Sequence, residues 1–348
     1  MINVLKRKLV DLFFCLRKGG LSLCLLFPLS DLFAQDYSQV LLDSLLAIDL
    51  PLVVVETENG QEPSCDLVMA PPGCAGASVI NNNYENGQLW IIHRGDTLYN
   101  SGTYKENRSG MSIKIRGNMS SYRDVTRASY KLKLQRKAGL FDKETGSLDN
   151  EWYGDDFILI NYTSSNDFRN HVGRHIAKVV GFSWEPASRF VNVVVNGHYR
   201  GLYILSEPVD RREDHVDVSV DGFILEDDAY WWNADGYVIH TPKLALPMAY
   251  TFKYPDDEDI SEGYVESVKK YLVEVENAIY GGQDLSGLID LRSFVNWLLA
   301  HDILGTWDAL GANIFLFRKD WSPQSLLQMG PLWDFDSAFN VENVWCTM

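Results

Sequence analysis

The pattern of apolar and polar positions changes along the chain, from strand-like runs in the first half to helical spacing in the second. Short β-branched or alternating runs predict strands at residues 52–56, 89–93, 96–99, 111–117, 129–134, 157–161, 190–195, 199–205 and 223–227. Asn196-Gly197 separates two of these runs and predicts a tight hairpin. Two turn-rich stretches, 57–85 and 228–262, are predicted to be a long loop and an irregular region.

Apolar residues at helical spacing predict helices over residues 167–180, 265–280 and 291–304. In the first of these helices one face is predicted to be buried, and it consists of Val172, His175, Ile176 and Val179. The third helix is the most apolar and is predicted to be buried. Strands first and helices later, without a βαβ repeat, indicate an α+β fold.

The first 34 residues have the features of an export signal. Basic residues extend to Lys18, an apolar run covers residues 21–30, and Ala34 is a small residue suited to cleavage. The apolar run is too short for a stable membrane span, and residues 35–50 are expected to form a linker or short helix. The chain is therefore expected to be exported, to the periplasm, the cell surface or the medium of a bacterium.

Charge and cysteine content narrow the classes of function. The formal net charge of −16, without a segregated basic patch, argues against nucleic-acid binding. Cys65 and Cys74 bracket a Pro-Pro-Gly loop, and both a disulfide and two free thiols are compatible with that spacing. The chain has no Cys/His grouping typical of a zinc site.

The candidate chemistry lies near the C-terminus. Asp308 and Asn313 have the spacing D-x-x-x-x-N, and two short apolar runs separated by a polar turn lead to Asp334-Phe335-Asp336. This order of parts is that of a protein-kinase active site. There the first Asp accepts the proton of the substrate hydroxyl, and the Asn and the second Asp bind Mg²⁺.

Five segments, in this order, make the chain similar to a known family: IKIRGN (113–118), SYKLKL (129–134), NDFRN (166–170), VNGHYRGLYILSEPV (195–209) and the block 307–339, which ends in PLWDFDSAF. By these segments the chain resembles the CotH kinase family, the spore-coat-protein-H-like proteins. The resemblance covers roughly residues 50–340. It implies a divergent protein-kinase-like fold and, for some members, ATP-dependent protein phosphorylation.

The resemblance also implies a domain organisation. One kinase-like domain is expected over residues 51–340, with a strand-rich lobe at about 51–206 and a helix-rich lobe at about 207–340. Because the chain ends soon after Phe339, the second lobe is expected to be shorter than in relatives. The chain lacks a G-x-G-x-x-G loop, and the predicted helix 167–180 carries no Glu. It departs from ordinary kinases in both respects.

Roles at the acidic end follow from the same resemblance. Asp308 is the expected catalytic base. Asp334 is the expected Mg²⁺ ligand, and the Asn313 amide oxygen can complete the set. Asp336 is either a second carboxylate ligand or the cap of a helix that starts near Ser337.

For the residues that would bind the nucleotide, the sequence leaves alternatives open. Lys131 and Lys133 project from one face of a strand, so the sequence itself does not separate them. The family match favours Lys133 as the phosphate-binding lysine. Arg116 and Asn118, where a strand meets a turn, bind phosphates or simply build the turn. Glu207 pairs with the lysine or lies at the adenine-side connection.

The leading hypothesis is an exported atypical protein kinase that uses ATP and Mg²⁺ on Ser, Thr or Tyr hydroxyls of proteins. One alternative is a non-catalytic surface, structural or adhesion protein on a kinase-like scaffold. Another is a glycan-binding protein, which the acidic and aromatic content suggests. In that reading Trp231-Trp232 is either a sugar-stacking platform or simple packing.

Overall fold

The computed structural model describes residues 44–74, 76–80, 83–141, 152–161, 168–244, 248–306, 308–309 and 313–339. The predicted signal (1–34) lies outside the described residues, as do most of the predicted linker (35–50) and Cys346. Residues 44–47 are helical. Cys65 and Cys74 are both free thiols. Among the described helices, none is long and apolar enough to cross a membrane.

The first half of the chain forms a closed β-barrel with short helices on its outside. Its elements are β1 (Leu52–Thr57), β2 (Asp66–Met69), β3 (Ala77–Ile80), β4 (Glu85–His93), β5 (Asp96–Asn100), β6 (Met111–Arg116), α1 (Met119–Arg123), β7 (Ser129–Gly139), β8 (Tyr153–Asn161), α2 (Arg169–Val180), β9 (Ser188–Val195) and β10 (His198–Ser206).

Within the described residues, seven strands close the ring in the order β1-β9-β10-β8-β7-β6-β4. Closure depends on β4, which pairs with β6 at one end and with β1 along most of its length. The β1–β9 pairing is parallel and the other pairings in the ring are antiparallel. β5 extends the sheet beyond β4.

The barrel interior is filled by side chains at alternate strand positions, as the alternating pattern predicts. Leu132, Phe157 and Tyr203 are almost fully buried there. Lys114 and Lys131 occupy the intervening positions on β6 and β7, directly opposite each other, and so project outward. The outer face of β6 and β7 therefore carries cationic side chains.

The Asn196-Gly197 hairpin between β9 and β10 is also confirmed. Both residues have positive φ, 49° and 77°, which suits a tight turn of the hairpin type. Asn196 also accepts a hydrogen bond from the backbone N–H of Thr57 at 2.9 Å. The turn is thereby tied to the end of β1.

The second half contains a five-stranded antiparallel sheet and two longer helices. Its elements are β11 (Phe223–Asp228), β12 (Val238–Ile239), β13 (Ala249–Tyr254), α3 (Glu262–Tyr280), α4 (Leu291–Leu304), β14 (Ile314–Arg318) and β15 (Gln328–Leu332), and the strand order is β12-β13-β11-β14-β15. Residues of α3 pack on one sheet face and a smaller cluster covers the other. The α+β class is confirmed, whereas the closed barrel differs from the lobe that a kinase-like fold implies.

Both predicted irregular stretches contain strands. Residues 57–85 include β2 and β3, which form a small two-stranded sheet. Residues 228–262 include β12 and β13, and β13 is an interior strand of the second sheet, between β12 and β11. Exposed apolar residues on β2 break the usual alternation (Leu67 and Met69), so the local pattern of that strand is misleading.

The buried face of α2 is not the predicted one. The described burial falls on Asn170, Gly173, Arg174 and Ala177. Val179 from the predicted face is 69% exposed. The helix turns polar and small residues inward because its neighbour is a polypeptide segment with backbone groups to satisfy, as described below.

The prediction that the helix at 291–304 is buried is also wrong for most of α4. Ala300, His301 and Leu304 are buried, and they lie towards the C-terminal end of the helix. Large apolar side chains on the opposite face are exposed: Leu291, Val295, Leu298, Leu299 and Ile303. High apolar content alone does not decide which face of a helix is covered.

Candidate active site

Three carboxylates converge near the C-terminal end of α4. Asp308 follows the end of α4, and Asp334 and Asp336 follow β15. One carboxylate oxygen from each of the three lies within 4.8 Å of the other two. Asp308 and Asp334 are half-buried. The tertiary structure thus joins two segments that are 26 positions apart in the chain.

The segment around Asp334 is fixed by the first turn of α2. The backbone N–H of Phe335 donates to Asn170 Oδ1 at 2.9 Å, and Arg169 donates to the carbonyl oxygen of Asp336 at 2.8 Å. Asp334 itself has φ of +57°, and its Oδ1 accepts from the N–H of Asp336 at 3.3 Å. A non-glycine residue in this conformation is uncommon and is held by its surroundings.

Phe335 holds the Asp-Phe-Asp segment in place through contacts with both α4 and α2. Its side chain is fully buried and stacks on His301 of α4, with ring centroids 6.0 Å apart. On its other side it meets α2 at Gly173. The Asp-Phe-Asp segment is therefore clamped between the two helices by its central ring.

Asn313 lies beside Asp308. Its Nδ2 is 3.4 Å from Asp308 Oδ2, and the N–H of Asp308 is 3.4 Å from Ser337 Oγ. Asn313 also has a positive φ, +58°. The D-x-x-x-x-N pair and the second acidic pair therefore form one cluster, although residues 310–312, between Asp308 and Asn313, lie outside the described residues.

The cluster is an unfavourable place for so much negative charge. Burial, and then repulsion by Asp336 and Asp308, raise the pKa of Asp334 to about 8. Burial and the charge of Asp336 also raise the pKa of Asp308. Mutually repelling carboxylates with a neighbouring amide are a suitable ligand set for a hard cation such as Mg²⁺, which would relieve that repulsion.

Arg116 and Arg174 both lie within electrostatic reach of Asp334, and Arg116 is the one that belongs to the barrel strands. Burial lowers its pKa, and the negative charges of Glu226 and Asp334 oppose that shift. Glu226 forms an ion pair with Lys253 at 2.6 Å. The end of β6 on the barrel therefore faces β11, β13 and the acidic segment of the second half.

The two candidate lysines differ in their surroundings. Lys131 Nζ is 2.9 Å from Asp156 Oδ2, and Lys131 lies opposite Lys114 in the β6–β7 register. Lys133 is exposed and lies opposite Ser112, two residues farther from the Arg116 end of the strands. The register therefore puts Lys131 closer than Lys133 to the end of β6 that faces Asp334.

Asn118 and Glu207 are engaged in separate contacts. The Oδ1 atom of Asn118 accepts hydrogen bonds from Ser78 at 2.5 Å and from Asn233 at 3.2 Å. This contact joins the barrel to the loop after β11.

Glu207 is almost fully buried and accepts hydrogen bonds from the backbone N–H groups of Trp152 at 3.2 Å and Ala187 at 2.9 Å. His215 Nε2 lies 3.3 Å from the same carboxylate. These contacts belong to a buried network, and Lys131 has its ion pair elsewhere.

Two buried residues beside the site were missed from the sequence. Arg174 of α2 donates to the carbonyl oxygens of Pro186 and Ala187, and its guanidinium lies 5.2 Å from the centre of the Trp333 ring. Glu185 accepts from the N–H of Leu332 at 3.0 Å. The i, i+4 spacing of Asn170 and Arg174 is the signal that could have revealed this polar face.

A comparison with protein families now bears on this geometry. The family model described as CotH kinase protein matches residues 113–347, which is more than half of the chain. The chain belongs to the CotH kinase family. The matched region of this CotH-family chain begins within β6 and extends past the acidic cluster, so it includes Arg116, both candidate lysines and all three carboxylates. No curated protein matches the chain.

Membership in the CotH kinase family makes the chain kinase-like in the coarse sense and points to ATP and a divalent metal as the chemistry to test.

Proposed function

We propose that this CotH-family chain is an exported atypical protein kinase, which transfers the γ-phosphoryl group of ATP to a Ser, Thr or Tyr hydroxyl of a protein. The observation that carries the proposal is the convergence of Asp308, Asp334 and Asp336, with carboxylate oxygens within 4.8 Å of one another. Family membership supports the same reading.

In this proposal Asp334, Asp336 and the amide oxygen of Asn313 hold Mg²⁺. Bound Mg²⁺ would offset the negative charge of the phosphoryl group during transfer. The raised pKa of Asp334 supports the assignment, because a cation at this position replaces the proton that burial and like charge otherwise favour.

Asp308 accepts the proton of the incoming hydroxyl. A carboxylate whose pKa is raised by burial and by a neighbouring charge is a better base than an exposed one. Asn313, within 3.4 Å of one Asp308 oxygen, orients this carboxylate. Phosphoryl transfer requires mainly positioning and charge stabilisation from the protein, so few groups are needed.

Arg116 and a lysine of β7 bind the phosphates. Arg116 is one of the cations within electrostatic reach of Asp334. Its guanidinium would bind a phosphate on one side, and Mg²⁺ held by Asp334 would bind it on the other. Lys131 or Lys133 supplies a second cation from the outer face of the barrel. The barrel would then act as the nucleotide lobe and the five-stranded sheet with α3 and α4 as the second lobe.

Transfer of radiolabelled phosphate tests the proposal. The purified chain is incubated with γ-labelled ATP, Mg²⁺ and a mixture of protein acceptors. Label should appear with the wild type and fall by about a thousandfold or more in Asp308→Ala and Asp334→Ala. Asp302→Ala is the matched control, since Asp302 is an exposed acid on the same helix that leads to the site.

Other outcomes identify the competing functions. Label that persists in both site variants would contradict the assigned site. A wild type with no label and no rise in melting temperature with ATP and Mg²⁺ would favour a non-catalytic scaffold. Glycan binding without ATP would favour the third function. Export rests on residues 1–34, and fractionation of cells that make an epitope-tagged chain tests it.

A further inference from the structure

A cavity of about 310 Å³ lies away from the acidic cluster. It is bounded by the loop that follows α2, by the first turns of α4 and by β15. Its lining includes Ser183, Trp184, Arg292, Asn296, Gln328 and Pro331. The volume is at the lower end of the range for ligand pockets and suits a side chain with the adjoining main chain.

Four polar side chains of this lining are free to bind a ligand. Within the part of the chain that the structure describes, Ser183, Arg292, Asn296 and Gln328 have no hydrogen-bond or ion-pair partner for their side chains. Ser293 differs from them, because its Oγ donates to the carbonyl oxygen of Asp290 at 2.8 Å and accepts from Met329 N–H at 3.0 Å. Two amides, a hydroxyl and a guanidinium in the cavity are therefore without partners among the described residues.

The aromatic rings of the lining are already used in packing. Trp184 stacks on His215 with ring centroids 4.3 Å apart. Trp184 and Phe317 both pack against the buried cluster that contains Ile224. Phe182 packs on Gly330 and against the buried cluster that contains Ala177 of α2 and Ala300 of α4. A sugar site usually offers an open ring face for stacking. The described lining offers amides instead, which match the donors and acceptors of a peptide main chain.

The lining carries one arginine, Arg292, and one carboxylate, Asp290. Arg292 is exposed at the rim and has no carboxylate partner among the described residues. Asp290 also lines the cavity, but its Oδ1 accepts from the N–H groups of Arg292 and Ser293 as the cap of α4. The positive end of the helix partly offsets that carboxylate.

We propose that this cavity binds a short extended peptide segment that carries an anionic side chain, either a carboxylate or a phosphate. Asn296 and Gln328 pair with the main chain of the segment, and Arg292 binds the anion. This docking role rests on the proposed function, because the segment would belong to the protein that is phosphorylated.

The position of the cavity suits such a role. Gly330 and Pro331 form part of its wall, and the chain continues directly through Leu332 to Asp334. Glu185, next to Trp184 of the lining, binds the N–H of Leu332. A segment held here lies on the same framework as the acidic cluster but outside it, so docking and transfer use different residues.

Fluorescence anisotropy with labelled peptides tests the binding. The probes are Gly-Gly-Glu-Gly-Glu-Gly-Gly, the same peptide with phosphoserine for Glu, and the same peptide with Lys for Glu. We expect the Glu or the phosphoserine peptide to bind and the Lys peptide to bind at least about tenfold more weakly. The stronger of the two anionic probes identifies the source of the anion.

Arg292→Glu and Asn296→Leu should each weaken binding by about tenfold or more. Arg136→Glu is the control, since Arg136 is an exposed arginine on the barrel. Melting temperatures of all variants check that they are folded, and Asn296→Leu keeps the test valid if the charge reversal unfolds the chain. Equal binding by wild type, Arg292→Glu and Asn296→Leu would overturn the proposal, as would absence of binding up to about 1 mM peptide.

The binding measurement contains no ATP or metal, so it is independent of catalysis. If the peptides bind through Arg292 but no phosphate is transferred, the cavity is a peptide site and the proposed kinase function fails. If phosphate is transferred and Arg292→Glu changes neither peptide binding nor the KM for protein acceptors, the docking proposal fails alone. A higher KM with unchanged kcat in Arg292→Glu is the expected result.

Discussion

Gly173 of α2 lies directly against the ring of Phe335. A Cβ atom at position 173 would be 2.2 Å from Phe335 Cγ, a distance that no real side chain tolerates. The helix and the Asp-Phe-Asp segment therefore approach as closely as a glycine permits. This contact determines how far Asp334 and Asp336 lie from Asp308.

We expect Gly173→Ala to displace Phe335 and with it the acidic segment. The overpacking should lower the free energy of unfolding by about 1–3 kcal/mol, although alanine is the better helix former. Chemical denaturation and the phosphotransfer rate are the measurements, and the rate should fall by more than the loss of folded protein explains.

The control for Gly173→Ala is Gly263→Ala, at the start of α3. A Cβ at position 263 meets nothing within 4 Å. That variant should be neutral or more stable by about 0.5–1 kcal/mol. Wild-type stability and activity in Gly173→Ala would show that the segment can shift without cost.

Asp334→Asn should separate stability from metal binding. Burial and the charges of Asp336 and Asp308 raise the pKa of Asp334 to about 8, so its charged form is disfavoured without a cation. In the presence of a chelator, we expect the free energy of unfolding of the variant to exceed that of the wild type by about 1 kcal/mol, with a correspondingly higher melting temperature.

Added Mg²⁺ should stabilise the wild type, by about 2.7 kcal/mol at a hundredfold excess over Kd, and should have little effect on Asp334→Asn. Asp302→Asn, at an exposed position on α4, should respond as the wild type does. An unchanged Mg²⁺ response in Asp334→Asn would exclude Asp334 as a ligand.

The two candidate lysines are distinguished by their register on β7. Lys131 is closer to the Arg116 end of the strands, so Lys131→Met should weaken ATP binding by about tenfold and Lys133→Met by less. Lys137→Met, at an exposed position on the same strand, is the control. Calorimetric titration with ATP gives the dissociation constants of the wild type and the three variants. A larger effect of Lys133→Met than of Lys131→Met would show that Lys133 is the phosphate-binding lysine.

Glu185 should make stability depend on pH. Burial raises its pKa from 4.5 to about 8, so the folded chain holds a proton that the unfolded chain releases between these values. The stabilising contribution is therefore complete below about pH 4.5 and is lost as pH rises to about 8.

Glu185→Gln keeps an acceptor for Leu332 N–H and removes this titration. We expect it to flatten the decline in stability between pH 5 and 8 and to be more stable than wild type at pH 8 by about 2 kcal/mol. Urea denaturation at several pH values measures the effect. Glu266→Gln, at an exposed site on α3, should leave the pH profile unchanged, and a Glu185→Gln profile parallel to wild type would contradict the prediction.

Much of the strand pattern could be predicted because it is local. The alternation in β6 and β7 separates Leu132 from Lys131 whatever the neighbouring strand, and positive φ at Asn196-Gly197 depends on those two residues. β2 was not predicted because its apolar residues Leu67 and Met69 are exposed, and β3 was not predicted because it is only four residues long within a turn-rich stretch. The buried faces of α2 and α4 could not be predicted because the segments that pack against each helix decide which of its residues are buried.

The sequence by itself determined the family, the order of the segments and the residue types of the site. Tertiary structure decided the rest. Closure of the barrel depends on β4 pairing with β1, a non-local choice that alternation does not encode. Convergence of Asp308 with Asp334 depends on two helices that hold Phe335 between them. Local patterns fix which way a side chain projects, whereas the distance between two projecting side chains depends on contacts between distant parts of the chain.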